Sequence, residues 1–498
     1  MKIRITLMLL IFFSHSFLRA EVPILRSLIP NSQIIERDGV EWKATNFKSQ
    51  KEALGLEENV FKPRENMVNA VAFWTKIYTQ YKTTQGVIHD TENLNIVYEK
   101  VDFDSINRDA SLDDRQKAKM RDSYLDERKK AILTSLQRIA TEDRNIEPTA
   151  LDKAIKEAWE KEGGIEAIKK AADTNRIRFQ LGQSDRIQEA IFLSGRYLPM
   201  MEKIFKEEGL PIQLTRLVFV ESSFDVSAKS KVGASGLWQI MPSAARGRLK
   251  INKVYDLRNH PKRATELAAR MLKFNYQMLG AWPLAVTGYN HGPYGVRRIV
   301  EKYNTRDLGE LIQRGEGRSF GFASRNFYAS FLAALEVESN AGEYFPGIRK
   351  AKEVPFEELN IRKPIYFRDL VKVFGGDREM AQQYNPHLNS LAYADHFGLD
   401  SKSHLMIPKS LQKKAEKLLA SIGHDNARMG SMIRKPSAIP SDDSDQKKKT
   451  KEKYHTVVLG ETLFRISVRY GVSVDAILSL NKIDDASSIK VGQILILP

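Results

Sequence analysis

Glu221 stands at the end of an apolar stripe. Leu214, Leu217 and Val218 precede it by seven, four and three positions, the spacing of one helix face. A carboxyl on that face is held against apolar walls, and the loss of water raises its pKa. A carboxylic acid that keeps its proton near neutral pH can act as a general acid. The same spacing also fits a helix-end Glu turned to water, so the residues that follow weigh in the choice. Ser227, Ala228, Ser230, Gly233, Ala234, Ser235 and Gly236 make a loop of small residues, and glycine in such a loop lets backbone approach a ligand closely. Gln239 then supplies an amide able to read hydroxyls or N-acetyl groups. A second carboxylate, Asp225, lies four residues after Glu221. It would share the face of Glu221 if the helix ran on, and would cap the helix end if it did not.

Several elements must hold these residues in place. Arg186 to Glu208 reads as an amphipathic helix through Ile187, Ile191, Phe192, Leu198, Met201 and Phe205. Gly209-Leu210-Pro211 closes it and sets Pro to open the helix that carries Glu221. Thr265 to Leu279 and Trp282 to Asn290 read as two more helices, the second running into Gly288-Tyr289-Asn290-His291-Gly292. Tyr289 and Asn290 sit there either to cap a helix or to touch a ligand. Phe322 to Val337 closes the unit as an apolar helix.

The 498 residues exceed one core, and about three domains are expected. Lys2 and Arg4, followed by the apolar run from Ile5 to Leu18 and by Ala20, read as a secretory signal. The expected compartment is therefore periplasmic, reached through the inner membrane. Zero Cys removes both disulfides and a lipid-modified N-terminal Cys, so no lipid anchor is expected. The formal charge of +16 attracts polyanions. An exported chain with no nucleic-acid module is directed to cell-wall polymer or a membrane surface rather than to nucleic acid. The nine His show no ligand spacing, so no metal and no cofactor are implied.

Upstream, Asn66 to Tyr81 is helical and aromatic, and Ile96-Val97-Tyr98 is β-like, with His89-Asp90 expected in a loop or capping role between them. Residues 111 to 174 read as long, exposed, ion-paired helices, with Ser111 and Asp114 resembling a capping box. Downstream, Ile365-Tyr366-Phe367, a helix from Arg368 to Phe374, Gln383-Tyr384-Asn385-Pro386 and Leu405-Met406-Ile407-Pro408 form a second unit. A linker with Pro436, Pro440 and Lys447-Lys448-Lys449 follows. The last segment has a strand–helix–helix–strand pattern, with Thr462 and Ser473 as N-caps.

Three ordered motifs carry a resemblance. Glu221-Ser222, Gly236-Leu237-Trp238-Gln239 and Gly288-Tyr289-Asn290 are similar to the Glu-Ser, Gly-Leu-Met-Gln and Ala-Tyr-Asn motifs of the family 1 lytic murein transglycosylases. Within that family the chain looks most like the membrane-bound D group, which carries LysM repeats. Tyr454-His455-Thr456-Val457, Gly460-Glu461-Thr462-Leu463, Leu480-Asn481 and Gly492-Gln493-Ile494-Leu495-Ile496-Leu497-Pro498 resemble LysM. Trp238 stands for the usual Met and Gly288 for Ala. Ala323-Ser324-Arg325-Asn326-Phe327-Tyr328 stands where the family has Glu-Thr-Arg-x-Tyr-Val, so the sequence lacks the carboxylate by which the resemblance would imply a contact to the sugar there.

The resemblance implies a mainly α chain with a lysozyme-like helical catalytic domain, a helical N-terminal extension and small βααβ LysM modules. The expected division is a signal peptide at 1–20, a helical region at 21–190 and the transglycosylase domain at 191–345. A degenerate LysM-like or spacer unit at 346–423, a flexible linker at 424–453 and LysM at 454–498 follow. It implies cleavage of the MurNAc–GlcNAc bond of peptidoglycan to give 1,6-anhydro-MurNAc ends, with Glu221 as acid and then base. It also implies that Ser230, Gln239, Met241, Tyr289 and Asn290 line the groove, that Tyr289 orients Glu221, and that LysM holds a GlcNAc-containing glycan. Two other readings share the fold: a lysozyme-type hydrolase using Asp225, and a wall-binding scaffold without catalysis.

Overall fold

The computed structural model describes residues 60–420, apart from 144, 146 and 315–319, together with residue 422 and stretches of 453–497. The signal segment, residues 21–59, residues 424–452, Thr462 and Ser473 lie outside the described residues.

Helical apolar spacing builds the central core. Helix α1 (Val68–Thr79) buries Phe73, Trp74, Ile77 and Tyr78. The strands β1 (Gln85–Asp90) and β2 (Val97–Asp102) follow. A charged excursion holds α2 (Asp114–Ala140), α3 (Ala150–Glu160) and α4 (Gly164–Ala171). The chain returns through β3 (Ile177–Leu181) into α5 (Ser184–Glu207), where Ile187, Ile191, Leu198, Met201 and Phe205 turn inward. A 3-10 turn at Ile212–Arg216 leads into α6 (Leu217–Ser222). Then come α7 (Pro261–Leu279), α8 (Trp282–His291), α9 (Pro293–Tyr303) and α10 (Phe322–Ser339). Helix α10 is buried along most of its length and packs on α1, α6 and α8. The indole N–H of Trp74 donates to Asn326 Oδ1 at 3.1 Å, tying α1 to it.

The N-terminal part contains more than helices. The three strands form an antiparallel sheet in the order β2-β1-β3, with Val87 opposite both Lys100 and Gln180. His89 is thus in a strand rather than in a loop, fully buried between the rings of Phe73 and Phe322. Asp90 ends the strand; it accepts from the backbone N–H of Glu92 and Asn93 and pairs with Arg176. The capping box of α2 belongs to Asp113 and Gln116, two residues later than the Ser111 and Asp114 pairing. The three charged helices are not wholly solvated either. Ile132, Leu136, Ile139, Ile155, Trp159 and Ile168 form a small core with Ile88, Val101 and Ile177 of the sheet, which the sparse apolar spacing concealed because three helices and a sheet share it.

Beyond α10, β4 (Phe356–Glu358), α11 (Phe367–Val373), α12 (Arg378–Tyr384), β5 (Met406–Pro408) and α13 (Gln412–Ala420) form a unit whose apolar residues join the central core. Its strands pair antiparallel. The unit docks on the segment leading into α7. Asp256 N–H donates to His387 O at 2.8 Å and Asn389 N–H to Val254 O at 2.8 Å. His260 Nε2 meets His404 O at 3.0 Å, and Glu358 pairs with Lys262 and Arg263. Asn385 clamps the end of α12 to β5: its Nδ2 donates to Ala381 O and Met406 O, and its Oδ1 accepts from Met406 N–H. The last segment repeats this device. There, β6 (Lys453–Thr456) pairs antiparallel with β7 (Ile494–Leu497), and Asn481 at the end of α14 (Val474–Asn481) bonds Ile477 O, Ile496 O and Ile496 N–H. Val457, Leu463, Ile466, Ile477, Leu495 and Leu497 form its separate core.

Because the docked unit covers Val254, Tyr255, Leu257 and His260, a chain ended at residue 345 exposes them. Its melting temperature is expected to fall by about 10 °C or more. Calorimetry of both chains checks this; equal melting temperatures would show that docking adds no stability.

Candidate active site

Glu221 reaches its position because α6 is short and apolar. Leu217, Val218 and Phe219 are buried on it, and Glu221 itself is 7% exposed. Among the described residues no hydrogen bond or ion pair reaches its carboxyl. Burial alone therefore pushes it up to about 8. The helix stops at Ser222, because Ser223 and Phe224 both take left-handed backbone, with φ of 51° and 59°. Asp225 consequently leaves the face of Glu221. Its carboxylate accepts from Ser227 N–H at 2.9 Å and Ser227 Oγ–H at 2.7 Å, closing a local turn.

The loop from Gly236 to Gln239 is the piece against which the rest is set. Ser222 Oγ–H donates to Leu237 O at 2.8 Å, and Tyr289 O–H donates to Trp238 O at 2.8 Å. Tyr289 is thereby brought beside Glu221, and burial together with the Glu221 charge holds its phenol well above the ordinary range. Tyr289 spends its hydroxyl hydrogen on a backbone carbonyl, so it holds the loop as well as standing beside Glu221. Gly236 has φ +79°, and a Cβ there would lie 2.2 Å from Arg258 O, so only glycine fits. Arg258 braces the loop from behind, donating to Gly233 O at 2.6 Å and Ile240 O at 2.9 Å while its other edge holds Asp256. Trp238 is fully buried, stacks on Phe205 at 5.5 Å and donates to Thr265 Oγ1 at 2.8 Å. Its bulk is thus absorbed by packing rather than offered to a ligand.

The other expected residues take varied positions. Gln239 spends its N–H2 on Ala228 O and Gly236 O, leaving a buried Oε1 with no partner among the described residues. Ser230 Oγ accepts from Ala234 N–H at 2.9 Å, which shapes the small-residue loop and leaves its own hydrogen to donate. Met241 is partly buried at the N-cap of the short helix Pro242–Ala245. Asn290, at the end of α8, has its Oδ1 bonded by Ser324 Oγ–H at 3.1 Å. Sequence reasoning noticed position 323 for its missing carboxylate and passed over the hydroxyl beside it. It also passed over Asp256 and Arg258, for which spacing gives no signal. Among the described residues no group of three or more His, Cys, Asp or Glu is placed to hold a metal ion. A cavity of about 760 Å³ lies between α2, α3 and α4, lined by Arg138, Asp152, Lys156 and Ile168. It shares no residue with this site.

A buried acid at the end of a short helix, beneath a braced glycine loop and a mainly helical core, defines a lysozyme-like transglycosylase domain. Residues 200–312 match the Transglycosylase SLT domain, and residues 455–498 match the LysM domain. The chain is homologous to the membrane-bound lytic murein transglycosylase D of Escherichia coli (strain K12). The two are 25% identical over 337 residues, which is 65% of this chain and 69% of the relative. The protein of the same description from Escherichia coli O6:H1 (strain CFT073) matches to the same extent.

The perturbed carboxyl makes stability depend on pH. Between about 4.5 and about 8 the unfolded chain has lost the Glu221 proton and the folded chain keeps it. The folded state then binds more protons, so stability falls as pH rises through that window. Glu221→Gln removes this penalty. The variant should match the wild type near pH 4 and exceed it at pH 8 by on the order of a few kcal/mol. Thermal melts at both pH values measure it; an offset independent of pH would mean that the carboxyl is not desolvated.

Proposed function

We propose that this chain is a lytic transglycosylase that cleaves peptidoglycan between MurNAc and GlcNAc without consuming water. The observation that carries the reading is one desolvated, unpaired carboxyl, Glu221, with Asp225 turned away into its own turn. Ordinary glycosidases need two carboxyl groups, an acid and a base or nucleophile. One suffices where the substrate supplies the second function. Protonated Glu221 gives its proton to the glycosidic oxygen, and the 2-acetamido group steadies the cationic C1. Glu221, now a carboxylate, takes the proton from the C6 hydroxyl as O6 closes onto C1. The product ends in 1,6-anhydro-MurNAc, and Glu221 is protonated again. A folded pKa of about 8 suits a group that must give and regain a proton near neutrality. The attack is intramolecular, which is worth about 7–11 kcal/mol against a bimolecular reference.

Around this acid, Gln239, Ser230 and Asn290 are suited to bond sugar hydroxyl or acetamido groups. Met241 and the ring of Tyr289 supply apolar wall. The LysM segment binds GlcNAc-containing glycan and raises the local concentration of strands at the catalytic domain. The matching compartment is the periplasm, with the protein held at the wall.

Mass spectrometry of muropeptides released from purified peptidoglycan tests the reading. The wild type should release anhydro-MurNAc ends, and Glu221→Gln should lose release by at least about a hundredfold. Reducing MurNAc ends, heavier by one water, would instead establish a hydrolase.

A further inference from the structure

Asn290 is fixed by two residues that no sugar contact requires. Ser324 lies on the first turn of α10, beside Ala323, and is 8% exposed. Its hydroxyl has one hydrogen, and that hydrogen points to Asn290 Oδ1 at 3.1 Å. The lone pair of the same oxygen faces His291 Nδ1 at 3.2 Å. Since Ser324 gives its only hydrogen to Asn290, His291 must donate from Nδ1. Burial and the nearby Arg298 charge hold His291 below the ordinary imidazole range, so near neutrality it carries a single ring proton. That proton is the one on Nδ1. Among the described residues Asn290 Nδ2 has no partner, and it is not one of the buried polar atoms. The carboxamide is therefore held at its oxygen and open at its nitrogen.

We infer that His291 and Ser324 are positioning residues, which lock the Asn290 amide with its N–H2 group toward the glycan so that it donates to an acceptor, the carbonyl oxygen of a sugar acetamido group. The inference rests on the placement of Asn290 in the groove under the proposed function. It assigns direction to a contact that the side-chain type leaves open, because a free Asn can turn either end to a ligand. Gln239 has the opposite arrangement: its N–H2 is consumed inside the loop, and among the described residues its buried Oε1 has no partner. One amide offers a donor and the other an acceptor.

Isosteric substitution tests the direction. Asn290→Asp keeps an oxygen for Ser324 and replaces the N–H2 by a second acceptor. Kinetics of anhydro-end release from peptidoglycan should show Asn290→Asp and Asn290→Ala equally impaired in kcat/KM, by about tenfold or more. Ser324→Ala should fall about tenfold with its melting temperature kept, and Ser324→Thr should restore the rate. Ser324→Ala combined with Asn290→Ala should be no slower than Asn290→Ala alone, since both remove one contact. Near wild-type activity of Asn290→Asp beside an inactive Asn290→Ala would reverse the relay and overturn the inference while leaving Asn290 in the groove. Additive losses for Ser324 and Asn290 would also overturn it. Full activity of Asn290→Ala would overturn it differently, by removing Asn290 from the site. Loss of anhydro ends only in Glu221→Gln would then leave the proposed reaction standing.

Discussion

Everything at the site depends on keeping one carboxyl dry without giving it a counter-charge. A cation beside Glu221 would stabilise the carboxylate and lower its pKa; a hydrogen-bond donor would do the same. The structure supplies neither among the described residues. Helix α6 carries Leu217, Val218 and Phe219 into the core, and Glu221 goes with them. Immediately afterwards two left-handed residues reverse the chain. That reversal keeps Asp225 off the helix face, where a second negative charge would alter the titration of the first.

The loop after Gly236 holds the arrangement. Its carbonyls at Leu237 and Trp238 receive Ser222 from α6 and Tyr289 from α8, so two helices are registered against one short segment. That segment cannot shift, because Arg258 and Asp256 brace it from one side and Trp238 is stacked into the core on the other. Gly236 is tight against Arg258, so a side chain there would displace the loop and both helices that lean on it. Rigid support of this kind is what a desolvated acid requires, since relaxation would admit water and return the pKa toward its ordinary value.

How much of this was legible depended on the range of the interaction. The apolar stripe ending at Glu221 and the helices at 261–279, 282–291 and 322–339 follow from local periodicity, and the sequence reading located them within a few residues. The three motifs located the site. What escaped was set by partners far apart in the chain. His89 read as loop because one strand with a single alternation says little, and the sheet that buries it needs β3, nearly ninety residues away. The core under α2, α3 and α4 is divided over three charged helices, none of which looks apolar alone, and the sheet that completes it. The bond of Tyr289 to Trp238 O and the bond of Ser324 to Asn290 join segments whose spacing carries no periodic signal. Residue types stated which groups could bond, and only the fold states which end of each amide was already taken.

The two C-terminal units show how one local device serves two settings. Asn385 and Asn481 each end a helix, accept from a strand N–H and donate to a carbonyl one turn back and another on that strand. The clamp satisfies backbone groups that a short two-stranded pairing would otherwise leave open at a helix end. A clamp of this sort makes a small unit self-consistent without a large core. In the first unit the segment after the clamp is long, and His387, Asn389 and His404 spend it on contacts with residues 252–260. In the last unit the apolar residues close on one another. The first unit is therefore bound into the catalytic body and shares its stability, whereas the last closes a core from its own residues.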